Sequence, residues 1–184
     1  MHRLPPRPGL YAGFGACLGI FFGISVLAFS SFDLHVMLAL GSFGSTSVLL
    51  FAFPDNHFSQ PRSIVGGHLI SSVVGLVAFA LFGKVWWALG LAVAVAAAVM
   101  MVTRTMHPPA GSNPIIVFLT APGWGFALFP TLFGAMALVA AGWCYHRLRR
   151  QPYPLYWAGG ELPVIASQTP GYIGTDSSGE GARF

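Results

Sequence analysis

Between Leu10 and His146 the chain carries only five charged residues: Asp33, Asp55, Arg62, Lys84 and Arg104. The rest falls into apolar stretches at about 10–30, 34–53, 64–83, 85–102, 110–121 and 126–146. No other feature restricts the fold so strongly. A helix needs roughly 20 apolar residues to cross a bilayer, at about 1.5 Å of rise per residue. Four of the stretches reach that length alone. The fourth is slightly short, and the fifth reaches it only by starting near Arg104. Only 8% of the 184 residues are charged, against roughly 25% in a soluble domain. The fold class is therefore all-α: a polytopic helical membrane protein with about six hydrophobic segments.

One helical transmembrane domain covers residues 1–150. Residues 151–184, rich in Gly, Ser and Pro and holding three of the five acidic residues, read as a polar C-terminal tail. The net charge of +4 comes from scattered arginines. No basic patch is interleaved with aromatics, so no nucleic-acid partner is expected. If all six segments cross, Arg3, Arg7, Arg62, Arg104, Arg147, Arg149 and Arg150 share one side and Lys84 stands on the other. The positive-inside rule then places both termini in the cytoplasm, with a bacterial inner membrane as the expected location. Cys17 and Cys144 lie inside apolar stretches with no metal-ligand spacing.

Two stretches contain helix-breaking or polar residues where lipid would not accept them. In "RTMHPPAGSNPIIVFL" (104–119), Pro108, Pro109 and Pro114 lack a backbone N–H and Gly111 adds freedom. The backbone groups so released need protein or a water-lined cavity. A helix starting near Pro109 would turn its N-terminus toward His107 and Arg104, an arrangement suited to an anion. In "LGSFGSTSVLLF" (40–51), Gly41, Ser42, Gly44, Ser45, Thr46 and Ser47 are expected to interrupt the second span near its middle. The two broken segments align from their Gly-Ser pairs, 67 residues apart, with Phe51 opposite Phe118. This suggests an inverted repeat of three plus three segments, a transporter signature. The bland readings are helix contact through small residues and hydroxyls bonded to their own backbone. Gly15, Gly19 and Gly23 read as such a packing face. His68, beside Gln60 and Arg62, is a further polar candidate; His35 and Asp33 precede the second span; His2, His57 and His146 look peripheral.

"GSFGSTSVLLFAFPDNHFSQPRSIVGGHL", "HPPAGSNPIIVFL" and "YHRLRRQPYP" occur in this order, and together they resemble the HPP family of integral membrane proteins. The family takes its name from the His-Pro-Pro seen here as His107, Pro108 and Pro109. The resemblance covers about residues 10–154. It implies a small helical membrane protein, usually described as having four spans. It also brings nitrite into view as a substrate, through plastid and cyanobacterial members.

The expected function is a membrane transporter or channel for a small inorganic anion, with nitrite as the candidate that the resemblance supplies. The substrate-binding residues expected are His107, Arg104, Ser112, Asn113 and Gly111 from one broken segment, Gly44, Ser45 and Thr46 from the other, and His68. The spans hold no carboxylate away from their ends, which disfavours a cation site. A structural or assembly subunit is the rival reading. A membrane-embedded enzyme is a weaker one, because no HExxH, CxxC or Ser-His-Asp set is present; no catalytic residue, metal or cofactor is expected. The partners expected are the small anion and the lipid bilayer, and a homo-oligomer stays open.

Overall fold

The computed structural model describes residues 9–32 and 40–157. Asp33, His35, the N-terminal Arg3 and Arg7, and the tail beyond Trp157 lie outside the described residues. Six α-helices follow in order: α1 (Leu10–Phe32), α2 (Gly41–Ala52), α3 (Pro61–Phe82), α4 (Trp86–Val102), α5 (Asn113–Thr120) and α6 (Phe133–Leu148). No strand occurs among the described residues.

Their lengths separate into two groups. Leu10–Phe29, Pro61–Phe82 and Trp124–Leu148 are long and apolar enough to cross a membrane. The 17 residues of α4 give a further apolar rod of about 26 Å, inside the usual spanning range. In contrast, α2 has 12 residues and α5 has 8. At about 18 Å and 12 Å, neither spans a hydrocarbon core alone. Six apolar segments and four spanning-length helices are thus compatible descriptions of this chain.

The breaks fall partly where expected. Pro108–Ser112 forms a tight 3-10 turn before α5, as the Pro-Pro pair requires. The Gly-Ser run of the second segment does not break: Gly41–Ala52 is one continuous helix. Thr46 Oγ1 lies 3.0 Å from Ser42 O on the preceding turn, a contact that a continuous helix accommodates. The second irregular stretch lies before α6. There Trp124–Ala127 is a 3-10 turn, and Phe129 leaves helical geometry (φ −134°, ψ 122°) just ahead of Pro130.

Helix ends collect at one end of the bundle. Arg62 Nη2, in the first turn of α3, donates to Thr103 O at the end of α4 (2.9 Å). Ser59 Oγ donates to Leu49 O (3.0 Å), which also accepts from Phe53 N (2.9 Å), and His146 Nε2 bonds Leu50 O (2.9 Å), one of the last carbonyls of α2. The Arg149 side chain lies against Gly15 of α1. Arg62, Arg104, Arg147, Arg149 and Arg150 therefore share this end, and Lys84, in the α3–α4 turn, occupies the other. Both α4 and α6 finish in the same turn. Arg104 (φ 54°) and Arg150 (φ 55°) take the left-handed position, while Thr105 N bonds Met100 O and Gln151 N bonds His146 O, each at 2.9 Å.

The glycine face of α1 packs as its spacing suggests, with Gly19 and Gly23 against the Phe51 ring. Phe51, Leu50, Leu138, Ile64 and Tyr153 form the core beside it. The first residues of the expected tail join that core. Tyr153 is buried, its hydroxyl donates to Ser59 O (3.0 Å), and Leu155 N donates to Gln60 Oε1 (2.9 Å). His146 is likewise not peripheral: it is fully buried.

Candidate functional site

The turn after α4 sends the chain back into the bundle. Thr105 packs on Gly66, and His107 Cβ lies so close to Gly67 that only a residue without a side chain fits there. Burial leaves His107 with 0% exposure. Its ring is held from both sides. Nδ1 donates to Phe58 O (2.7 Å), in the loop after α2. Nε2 meets Thr46 Oγ1 on α2 at 2.9 Å. The same hydroxyl lies 2.9 Å from Nε2 of His68 on α3, and the two imidazole centroids are 5.0 Å apart. Three elements, separated by 22 and 61 residues in sequence, thus converge on one hydroxyl.

The direction of each bond follows from what its partner is able to do. A carbonyl only accepts, so His107 Nδ1 carries hydrogen and, in the neutral ring, Nε2 accepts from Thr46. Thr46 then accepts from His68 Nε2. His68 Nδ1 faces Asn113 Nδ2, a donor, at 3.1 Å. Asn113 Nδ2 also approaches His68 O (3.2 Å) and Ser72 Oγ (2.9 Å), and Ser72 Oγ donates to Thr131 Oγ1 (3.1 Å). The result is a file of buried polar groups: Phe58 O, His107, Thr46, His68, Asn113, Ser72, Thr131. His68 lies about 10 Å along α3 from its arginine-rich end and Ser72 about 16 Å. The file therefore runs from near that end to the middle of the bundle, and finishes beside the irregular turn at Phe129–Pro130. Asn113 Oδ1 and the hydroxyls of Ser42 and Ser47 are buried with no hydrogen-bond partner, an expensive condition in a protein interior.

Among the residues singled out in the sequence, the structure brings together His107, His68, Thr46 and Asn113. It leaves the others apart. Arg104, Gly44 and Ser45 are exposed. Ser112 is half-buried and bonds Pro109 O (2.8 Å). A Cβ at Gly111 or Gly44 would meet nothing within 4 Å. The helix-terminus arrangement also differs from expectation. Pro108 and Pro109 have no N–H, and Ala110 N already donates to His107 O (3.0 Å), so this terminus does not offer a set of free donors. Ser72 and Thr131 extend the file unanticipated, and only their polarity within apolar surroundings marked them. Among the described residues no three His, Cys, Asp or Glu side chains gather as a metal site would need, and Asp55, exposed in the α2–α3 loop, is the sole acidic residue.

Comparison with known proteins agrees with this architecture. The family model described as "HPP, transmembrane region" matches residues 5–154. A transmembrane protein of Dictyostelium discoideum is 31% identical over 168 residues, 84% of this chain and 59% of its own length. A second transmembrane protein of that organism is 31% identical over 153 residues, 76% of this chain and 49% of its own length. The chain thus spans about half to three-fifths of the length of these relatives. No solved structure matches it.

Proposed function

Because the chain belongs to the HPP transmembrane family, and so is an integral membrane protein, we propose that it is a transporter or channel for a small inorganic anion, with nitrite the first candidate. The file of buried hydrogen-bonding groups carries this reading. It leads from the end of the bundle where five arginines collect to the bundle's centre, and no carboxylate lies along it. Arginines at a mouth concentrate anions. Hydroxyl and imidazole N–H groups inside can replace part of an anion's hydration shell, which lowers the cost of bringing charge into a low-dielectric interior.

In this reading both termini and the arginine-rich end face the cytoplasm. The two short helices, each followed by a longer one, are the paired elements of an inverted repeat. The test is uptake by purified protein in liposomes, screened against nitrite, nitrate, formate, chloride and sulfate. Uptake of nitrite above protein-free liposomes, with the solute chemically unchanged inside, supports the assignment. No uptake of any of the five anions overturns it.

A further inference from the structure

We propose that this site moves one proton with each monovalent anion, the proton being held on His107 Nε2 and made room for by a turn of the Thr46 hydroxyl. The proposal rests on the anion-transport reading above.

The geometry supplies two complete hydrogen-bond patterns for the same atoms. With His107 neutral, Thr46 Oγ1 donates to His107 Nε2 at 2.9 Å and accepts from His68 Nε2 at 2.9 Å. When Nε2 of His107 takes a proton, its new N–H points at that same oxygen. Thr46 must then accept from both imidazoles, and its own hydrogen turns to Ser42 O, 3.0 Å away on the preceding turn of α2. A hydroxyl has one hydrogen and two lone pairs, so both patterns are filled and no partner is lost. His107 Nδ1 keeps its bond to Phe58 O in both.

His68 has no such freedom. Its Nδ1 faces the Asn113 amide nitrogen at 3.1 Å, and a proton there would set one N–H against another. The carrier is therefore His107, and His68 holds Thr46 in place. On loading, a hydronium ion at the arginine-rich end gives up a proton, an O–H bond breaking as the Nε2–H bond forms and neutral water being left behind. The imidazolium then offsets the anion's single negative charge. On release, that N–H bond breaks and proton and anion leave together, so the crossing is electroneutral. Charge neutralisation of this kind is what a dry interior demands of an ion.

Among the described residues few other charges surround His107, and His68 on α3 is in ring contact with it. Arg62, also on α3, bonds Thr103 O. Arg104 after α4 and Asp55 after α2 are exposed, and His57, beside Phe58, is half-buried. The α2, α4 and α5 helices carry no titratable side chain. On α6, His146 is committed to Leu50 O and Gln151.

The experiment follows nitrite uptake and internal pH together in liposomes, with protein-free liposomes subtracted for nitrous acid leak. The wild type is expected to acidify the interior by one proton per nitrite and to ignore an imposed potassium diffusion potential. Thr46→Val, similar in shape without the hydroxyl, leaves two buried ring nitrogens without this partner, so it is expected to melt lower and, per folded molecule, to lose at least tenfold in uptake driven by a pH gradient. Thr46→Ser is expected to recover most of it. Nitrite uptake by the wild type that follows the membrane potential without acidification overturns the proton proposal and leaves anion transport standing. So does full acid-linked uptake by Thr46→Val. If that variant fails to fold, the wild-type proton count still decides. Failure of the wild type to move nitrite or any of the other anions removes both readings.

Discussion

Two buried histidines in this protein have opposite surroundings. His146 sits where α6 meets the end of α2. Its Nε2 faces a backbone carbonyl, Leu50 O, and its Nδ1 faces Gln151 Oε1. Phe51, Tyr145 and Tyr153 rings press on it at centroid distances of 6.2, 5.0 and 5.0 Å. A backbone carbonyl can never donate, so that bond has one direction and the ring works as a staple. His107 also has one nitrogen on a carbonyl, but its other nitrogen faces a hydroxyl. A hydroxyl can donate or accept, and this one has an alternative acceptor one helical turn away. Burial alone therefore says little about a histidine's role. What decides it is whether the groups around the ring can reverse.

The sharpest way to break this contrast is to remove each ring in turn. His107→Ala is expected to cut nitrite flux by at least tenfold while the protein inserts normally. His146→Ala leaves Leu50 O buried and unpaired, at a cost of about 1–3 kcal/mol, and is expected to lower the melting temperature with little loss of flux per folded molecule. Flux in liposomes at matched protein load, beside a thermal melt in detergent, measures both. If His146→Ala loses flux as completely as His107→Ala without loss of stability, the two histidines are not functionally distinct.

The glycines give the next contrast. A Cβ built at Gly67 would lie 2.7 Å from His107 Cβ and 3.0 Å from Thr105 O; at Gly75 it would lie 2.9 Å from Pro114 Cα. Backbone and short side chains cannot move aside there, and overpacking of this sort costs about 1–3 kcal/mol. Gly67→Ala is expected to displace the His107 ring and reduce flux severalfold, and Gly75→Ala to push α5 away from α3. Gly44→Ala and Gly111→Ala, both facing open space, are expected to keep wild-type flux. At Gly44, inside α2, alanine should favour the helix by about 1 kcal/mol. Loss of flux in Gly44→Ala with Gly67→Ala unaffected would reverse the placement of the site.

These glycines show how far the sequence could be read. Long apolar segments with few charges force helices, and the Pro-Pro pair forces a break at His107; both follow from local chemistry. Which glycine touches a neighbour does not, outside the four-residue spacing of Gly15, Gly19 and Gly23 in α1. The helices are apolar nearly all round, so no polar stripe marks an inward face. Gly44 and Gly111 stood out beside polar residues, yet Gly67 and Gly75, in the long third segment, take the close contacts. His68, Thr46 and His107 each drew notice as a polar group in lipid, but their meeting depends on how α2, α3 and the turn after α4 pack. His146, next to a run of arginines, looked like part of the surface. The end of α2 and the return of residues 151–157 bury it together. The irregular turn at Phe129 was hidden by the apolarity around Pro130.

That returning segment yields the smallest expected effect. Tyr153 is buried, and its hydroxyl donates to Ser59 O at 3.0 Å. Ser59 in turn donates to Leu49 O, so the segment, the loop after α2 and the end of α2 form one connected chain of bonds. Tyr153→Phe keeps the ring against His146 and removes only the hydroxyl. A single neutral hydrogen bond contributes about 0.5–1.5 kcal/mol net, and leaving Ser59 O without a partner adds to the loss at the upper end of that range. The variant is expected to melt a few degrees lower and to transport normally. Burial also holds the phenol well above its usual ionisation range, so the hydroxyl remains a donor through neutral and moderately alkaline pH, and the difference between Tyr and Phe proteins should stay constant from pH 6 to about pH 9. Thermal melts of both across that range check it. A difference that vanished by pH 9 would mean the phenol ionises there, and that Tyr153 is not sealed beneath the returning segment. That outcome would also undermine the staple around His146, because the two rings share one packed cluster.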